Sequence, residues 1–115
     1  MMTQHVRLVD RSRAVLAVAQ VADEDGYFGG TIDLRSTPAE LRALFEEFEE
    51  IVNGQMFVFL DEIQKKIGAL PIRARFDDGS EADIKDLQVF PSTGDISFRL
   101  AGGRDRRQDE SRQQR

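Results

Sequence analysis

The sequence contains no cysteine and no tryptophan, and its single histidine is His5. The absence of cysteine excludes disulfides, thiolate nucleophiles, zinc–cysteine sites and iron–sulfur clusters. One imidazole near the N-terminus, interpreted as a frayed surface residue, gives serine–histidine and histidine–metal sites no credible anchor. We therefore predict that the protein is not an enzyme, with no catalytic residue, no cofactor and no metal site.

Long apolar runs are also absent. The longest, at residues 14–19, is far shorter than the roughly 20 residues that span a bilayer. The first residues lack the apolar segment of a signal peptide, so the sequence predicts a cytoplasmic protein with no membrane contact. The net charge of −5, from 21 acidic and 16 basic residues, argues against nucleic-acid binding, because that affinity comes from neutralising phosphates.

The length of 115 residues fits one domain. Residues 1–100 carry the apolar patterning, and we interpret them as a single α+β domain. Residues 101–115 contain no apolar side chain larger than that of Ala101. Such a segment buries too little apolar surface to offset its conformational entropy, which predicts a disordered, charged tail.

Strand patterns flank a central helical segment. Residues 13–21 and 27–34 predict a first hairpin, in which Gly29-Gly30 indicates a bulge or a close approach of two backbones. After Pro71 the apolar period is two over residues 72–76, and two further strands follow, with an irregularity near Lys85-Asp86. The order ββαβββ predicts one antiparallel sheet packed on one long amphipathic helix.

The helix is the most strongly patterned part of the chain. Thr37, Pro38 and Glu40 match a capping box, with Thr37 at the N-cap. Apolar residues then recur with helical period from Leu41 to Ile67. The stripe keeps its phase across Asn53-Gly54, which normally marks a turn, so we predict one helix of about 30 residues, or about 45 Å.

The far side of this helix carries a candidate interface. Gly54 lies opposite the buried stripe, and Phe57 and Val58 flank it, an unusual pattern for a solvent face. Either another helix approaches at Gly54 and packs on Phe57 and Val58, or the C-terminal hairpin of the same chain covers this face. The sequence leaves both interpretations open.

Acidic residues adjoin this candidate interface on the same helix. They form either a rim suited to a basic partner or an ordinary solvated helix face. The predicted interface therefore consists of Gly54, Phe57 and Val58, with Glu46, Glu47 and Glu50 as its rim.

These observations favour an acidic protein-interaction domain that self-associates through the long helix as a homodimer. A more specific version is an inhibitor or immunity-type protein that neutralises a basic partner. The alternative is a small-ligand-binding or enzymatic domain with an apolar pocket between helix and sheet. That pocket would be lined by Phe45, Phe48, Phe59 and Phe76.

Overall fold

The computed structural model describes residues 3–101, which form six strands and three helical segments. The strands are β1 (Thr3–Val9), β2 (Val15–Glu24), β3 (Tyr27–Asp33), β4 (Arg73–Phe76), β5 (Glu81–Phe90) and β6 (Asp95–Leu100). The helices are α1 (Ala39–Asn53), a 3-10 helix (Phe57–Phe59) and α2 (Leu60–Gly68). Of the tail predicted at residues 101–115, all but Ala101 lies outside the described residues.

The six strands close into an antiparallel barrel in the order β1-β2-β3-β6-β5-β4, and β4 pairs back onto β1. The prediction of an open sheet packed on one long helix is therefore wrong. The missing element was β1, in which Val6 and Leu8 point into the barrel while His5 and Arg7 are exposed. Closure follows because β1 offers one edge to β2 and the other to β4, with Val6 opposite Phe76.

Aromatic side chains fill the barrel interior. Phe28 lies between Phe98 and Phe76, with ring centroids 5.2 Å and 5.7 Å away. The helical segments add buried side chains from α1 and α2 to the same core. The two helices contact β5 and each other, so they cover one side of the barrel.

The predicted continuous helix is broken after Asn53. The amide of Gln55 donates to the carbonyl of Val52 (3.1 Å), and that of Met56 donates to the carbonyl of Ile51 (3.0 Å). These two bonds, together with the positive φ of Gln55 (+57°), form a Schellman C-terminal motif. The chain turns there, and α2 packs back against α1.

Gln55 occupies a left-handed position that favours glycine, which gives a first prediction. Left-handed backbone costs a non-glycine residue about 1–2 kcal/mol, partly offset by the greater unfolded-state entropy of glycine. We expect Gln55→Gly to raise the free energy of unfolding by about 0.5–1 kcal/mol in urea titrations. Gln64→Gly, in the exposed face of α2, is the control and should lower it by about 1 kcal/mol. Equal losses in both variants would contradict the cap assignment.

The predicted capping box is also not formed. Pro38 occupies the N-cap position of α1, and no side chain caps the helix there. Thr37 is buried and its hydroxyl donates to the carbonyl of Leu16 in β2 (2.8 Å). The hydroxyl therefore ties the loop before α1 to the barrel and is not available to the helix.

Two local predictions about the strands are confirmed. The β5–β6 register shifts between Lys85 and Gln88, where Asp86 has a φ of +55°. Gly30 lies against β2 so closely that a Cβ atom there would meet the carbonyl oxygen of Gln20 at 1.9 Å.

Candidate functional site

Four consecutive apolar side chains are exposed where the chain passes from α1 to α2. The exposed fractions are 40% for Met56, 58% for Phe57, 83% for Val58 and 54% for Phe59. We call residues 56–59 the apolar patch. Within residues 3–101, the β5–β6 hairpin leaves Phe57 and Val58 uncovered, so of the two interpretations that the sequence left open, coverage by the C-terminal hairpin is wrong.

The backbone on either side holds the apolar patch in place. The Schellman motif fixes Met56, and the amide of Phe59 donates to the carbonyl of Met56 (2.9 Å). Ile63, one turn into α2, is buried in the core. The short 3-10 helix between these anchors has no buried residue, so its side chains project outward.

Gly54 lies beside the apolar patch and is exposed. A Cβ atom there would stand 3.2 Å from the Met56 Cε atom and 3.1 Å from the Glu50 carbonyl oxygen. Gly54 therefore makes room for Met56 of its own chain, and the approach of another helix at Gly54 stays a prediction.

Glutamates on α1 border the apolar patch. Glu46, Glu47 and Glu50 are all exposed, and we call them the acidic rim. Glu47 and Glu50 separate two shallow depressions in the surface. Met56 lines the first depression, and Phe59 lines the second, which has a volume of about 230 Å³. The structure thus brings the predicted rim and the predicted apolar residues together on one face.

The acidic rim has no internal counter-ion among the described residues. Glu46, Glu47 and Glu50 form neither an ion pair nor a side-chain hydrogen bond with another residue of the range 3–101. Glu81 on β5 differs, since it pairs with Arg73 (3.3 Å) and Arg75 (3.2 Å). These ion pairs cross the β4–β5 hairpin on its solvent face.

Glu49 lies between these rim residues in sequence, but it is buried and bonded. Its carboxylate accepts hydrogen bonds from the backbone amide of Ser92 (3.1 Å) and from the Ser92 hydroxyl. The bonds join α1 to the turn between β5 and β6. Sequence reasoning missed this residue, although Glu49 follows Phe45 by four positions and so shares its buried helix face.

Replacing Glu49 gives a second prediction. Glu49→Ala leaves the Ser92 amide and hydroxyl without their acceptor, and hydrogen bonds to charged groups contribute about 1.5–3 kcal/mol each. We expect the free energy of unfolding to fall by about 2 kcal/mol in urea titrations. Glu46→Ala, on the exposed side of the same helix, should change it by less than about 0.5 kcal/mol. Equal effects in the two variants would show that the Ser92 link does not stabilise the fold.

The four phenylalanines predicted to line a ligand pocket do not do so. Phe45, Phe48 and Phe76 are fully buried and pack into the core, while Phe59 belongs to the exposed patch. A separate apolar cleft of about 260 Å³ opens near the N-terminus of α1. It is lined by Asp10, Leu16, Pro38, Glu40, Leu41, Leu44, Leu70, Pro71 and Ile72.

The clear pKa shifts belong to turns away from the apolar patch. Hydrogen bonds from the Arg35 side chain and backbone lower the pKa of Asp33 to about 2, and the same contact raises the pKa of Arg35. The Ser12 hydroxyl and the Ala14 amide hold the pKa of Asp10 below its ordinary value. Both aspartates accept bonds from the chain just after them, which indicates a role in shaping turns.

The remaining candidates for chemistry are surface features. His5 lies on β1 and is not a frayed end, and its ring contacts the Gln20 side-chain amide at 3.2 Å. In residues 3–101, His, Cys, Asp and Glu form no group of three or more that could hold a metal ion. No helix in that range is long and apolar enough to cross a membrane.

Comparison with known proteins does not extend this description. No protein-family model matches the chain, and neither the curated proteins nor the solved structures include a significant match to it.

Proposed function

We propose that this protein is a non-enzymatic interaction domain that binds another protein through the apolar patch and the acidic rim. The observation that carries the proposal is the run of four large apolar side chains in solvent at residues 56–59. Contiguous apolar surface is costly to leave in water, at about 25 cal/mol per Å². Such surface on a folded domain is typical of a protein contact site.

The rigid setting of the apolar patch supports this function. The Schellman motif and the buried Ile63 hold its two ends, so the patch has little backbone freedom to lose on binding. Preorganised surfaces bind more tightly because ordering costs are smaller. Aromatic residues such as Phe57 and Phe59 are also enriched in interface centres.

The sequence favours two kinds of partner. Self-association as a homodimer was predicted through a long helix, and with that helix broken a second copy would use the apolar patch instead. The other is a basic partner, which this chain would bind as an inhibitor or immunity-type protein. In either case the proposed compartment is the cytoplasm.

Site-specific photo-crosslinking in the cells that make the protein tests this function. A benzophenone amino acid replaces Val58 in one variant and Val15, an exposed valine on β2, in the control. We expect a discrete adduct from position 58 that Phe57→Glu abolishes, and none from position 15. An adduct at twice the 13.0 kDa chain mass would identify a second copy, and another mass a different protein. No adduct from position 58 above the control would overturn the proposed function.

The apolar cleft near α1 favours a second candidate, the binding of a small apolar ligand. Its volume of about 260 Å³ lies just below the range of ligand-sized sites, which begins at about 300 Å³, and leucine, isoleucine and proline dominate its lining. Native mass spectrometry of the purified 115-residue chain tests it. A bound molecule lost on Leu44→Trp, which fills the cleft, would support this candidate, and an unliganded mass would contradict it.

A further inference from the structure

We infer that the partner presents a basic, amphipathic segment whose cations contact Glu47 and Glu50 while its apolar side chains pack on Phe57 and Phe59. The inference rests on the proposed function, because it names the chemistry of the partner at the same surface. It commits to a partner other than a second copy of this chain.

The acidic rim has no counter-ion among residues 3–101. Other acidic residues of the domain form ion pairs with nearby arginines. Glu81 pairs with Arg73 and Arg75, and Asp33 pairs with Arg35. Glu47 and Glu50 have no such partner in residues 3–101. Their carboxylates are therefore free to pair with cations supplied from outside.

Net charge is unevenly distributed along the chain. Residues 39–68 contain seven acidic and three basic residues, a net of −4 out of −5 for the whole chain. The helical segment beside the apolar patch thus carries most of the excess negative charge. Opposite charge on the partner speeds encounter and fixes its orientation, whereas like charge at an interface is costly.

Carboxylates and apolar side chains lie close enough on this surface for one bound segment to contact both. Glu47 and Glu50 line both surface depressions, and each depression also includes one side chain of the apolar patch, Met56 or Phe59. A segment that lies across Glu47 and Glu50 contacts carboxylates and apolar side chains together. An amphipathic helix with arginine or lysine beside its apolar stripe has this combination of groups.

The same charge disfavours the homodimer through this face. A second copy would bring its own acidic rim against the first, and its apolar patch supplies no cation. Lys66 is the one basic residue among those lining the two depressions. Charge complementarity therefore points to a basic partner rather than to self-association.

A labelled model peptide provides the test. The probe is a fluorescein-tagged, two-heptad amphipathic helix of leucine and lysine, and its counterpart has glutamate in place of each lysine. Fluorescence anisotropy with the 115-residue chain follows binding of each peptide. We expect the lysine probe to bind and the glutamate probe not to bind. Affinity for the lysine probe should fall about tenfold in the double variant Glu47→Gln, Glu50→Gln.

Matched controls separate this site from general attraction to an acidic protein. The double variant Glu24→Gln, Asp25→Asn has the same net charge change, but it alters the β2–β3 turn. That turn lies at the Tyr27–Arg99 end of the β3–β6 pair, opposite the Asp95 end that adjoins Glu49. This double variant should lower the affinity for the lysine probe by less than about twofold. Phe57→Ser should lower the affinity for the lysine probe about tenfold, and Val15→Ser should leave this affinity unchanged.

Each outcome decides between the proposals. Equal weakening by both charge variants, or no binding of the lysine probe, would overturn the basic-partner inference. If position 58 gives a crosslinked adduct in cells, the proposed function would then still hold. An adduct with the mass of two copies would likewise overturn the inference alone.

Discussion

Gly30→Ala is expected to lower the free energy of unfolding by about 3 kcal/mol or more, one of the two largest effects in this domain. A Cβ atom at Gly30 would stand 1.9 Å from the Gln20 carbonyl oxygen and 2.8 Å from the Val21 Cα atom. Both neighbours are backbone atoms of β2, so relief requires the two strands to separate. Because small domains have only about 5–15 kcal/mol of stability, we expect a large shift of the urea midpoint.

The adjacent glycine provides the control for this experiment. At Gly29 an added Cβ atom would have its closest contact at 3.7 Å, with the Tyr27 side chain, which is ordinary van der Waals distance. Gly29→Ala should therefore change the stability by less than about 1 kcal/mol. If the two variants lose the same stability, the close approach of β3 to β2 is not what constrains this position.

Phe28→Ala is expected to lower the free energy of unfolding by about 3–5 kcal/mol. Phe28 is buried, and its ring stacks on Phe98 and contacts Phe76, so its removal leaves a cavity in the centre of the barrel. Thermal and urea unfolding of the purified variant measure the loss.

Phe57→Ala is the matched control, since it removes the same side chain from an exposed position. We expect it to change stability by less than about 0.5 kcal/mol, because no cavity forms. A loss comparable to that of Phe28→Ala would mean that Phe57 packs within the fold, and it would also remove the basis of the proposed interaction surface.

The helical segment shows what the spacing of apolar residues can and cannot predict. The apolar residues of α1 and α2 do face one core, as their spacing indicates, but those of the segment between the two helices, residues 56–59, are exposed. Periodicity reports which side of each segment is buried, and it does not report whether two segments share an axis. The turn signal of Asn53-Gly54 was the better guide, because the chain does leave the helix there and Gln55 takes the left-handed position.

The first strand shows why the barrel could not be predicted. The alternation of Val6 and Leu8 with His5 and Arg7 is a strand pattern, but it covers only a few residues. Its partners are set by long-range pairing with β2 and β4, which no local pattern encodes. Missing β1 left β4 with a free edge, so an open sheet was the natural interpretation.

The position of the candidate surface could be predicted more readily than its exposure. Phe57 and Val58 interrupt the polar side of the helical pattern, which marks the position. Whether another part of the chain covers them depends on tertiary structure, and the β5–β6 hairpin does not. Glu46, Glu47 and Glu50 were identified in the same way. The separate role of Glu49 depends on where the β5–β6 turn lies, and a tertiary contact of this kind is invisible in a helical wheel.

Closure of the barrel has a consequence for how the chain folds. Val6 pairs with Phe76, 70 residues later, so β1 emerges first during synthesis and receives its second neighbour only after β4 is made. Contacts of such sequence separation slow folding, because loop-closure entropy is lost before the strands pair. Until then β1 and β4 each present an unpaired edge, the kind of surface that joins chains edge to edge. The nascent protein is therefore most prone to aggregation in the interval before these two strands meet.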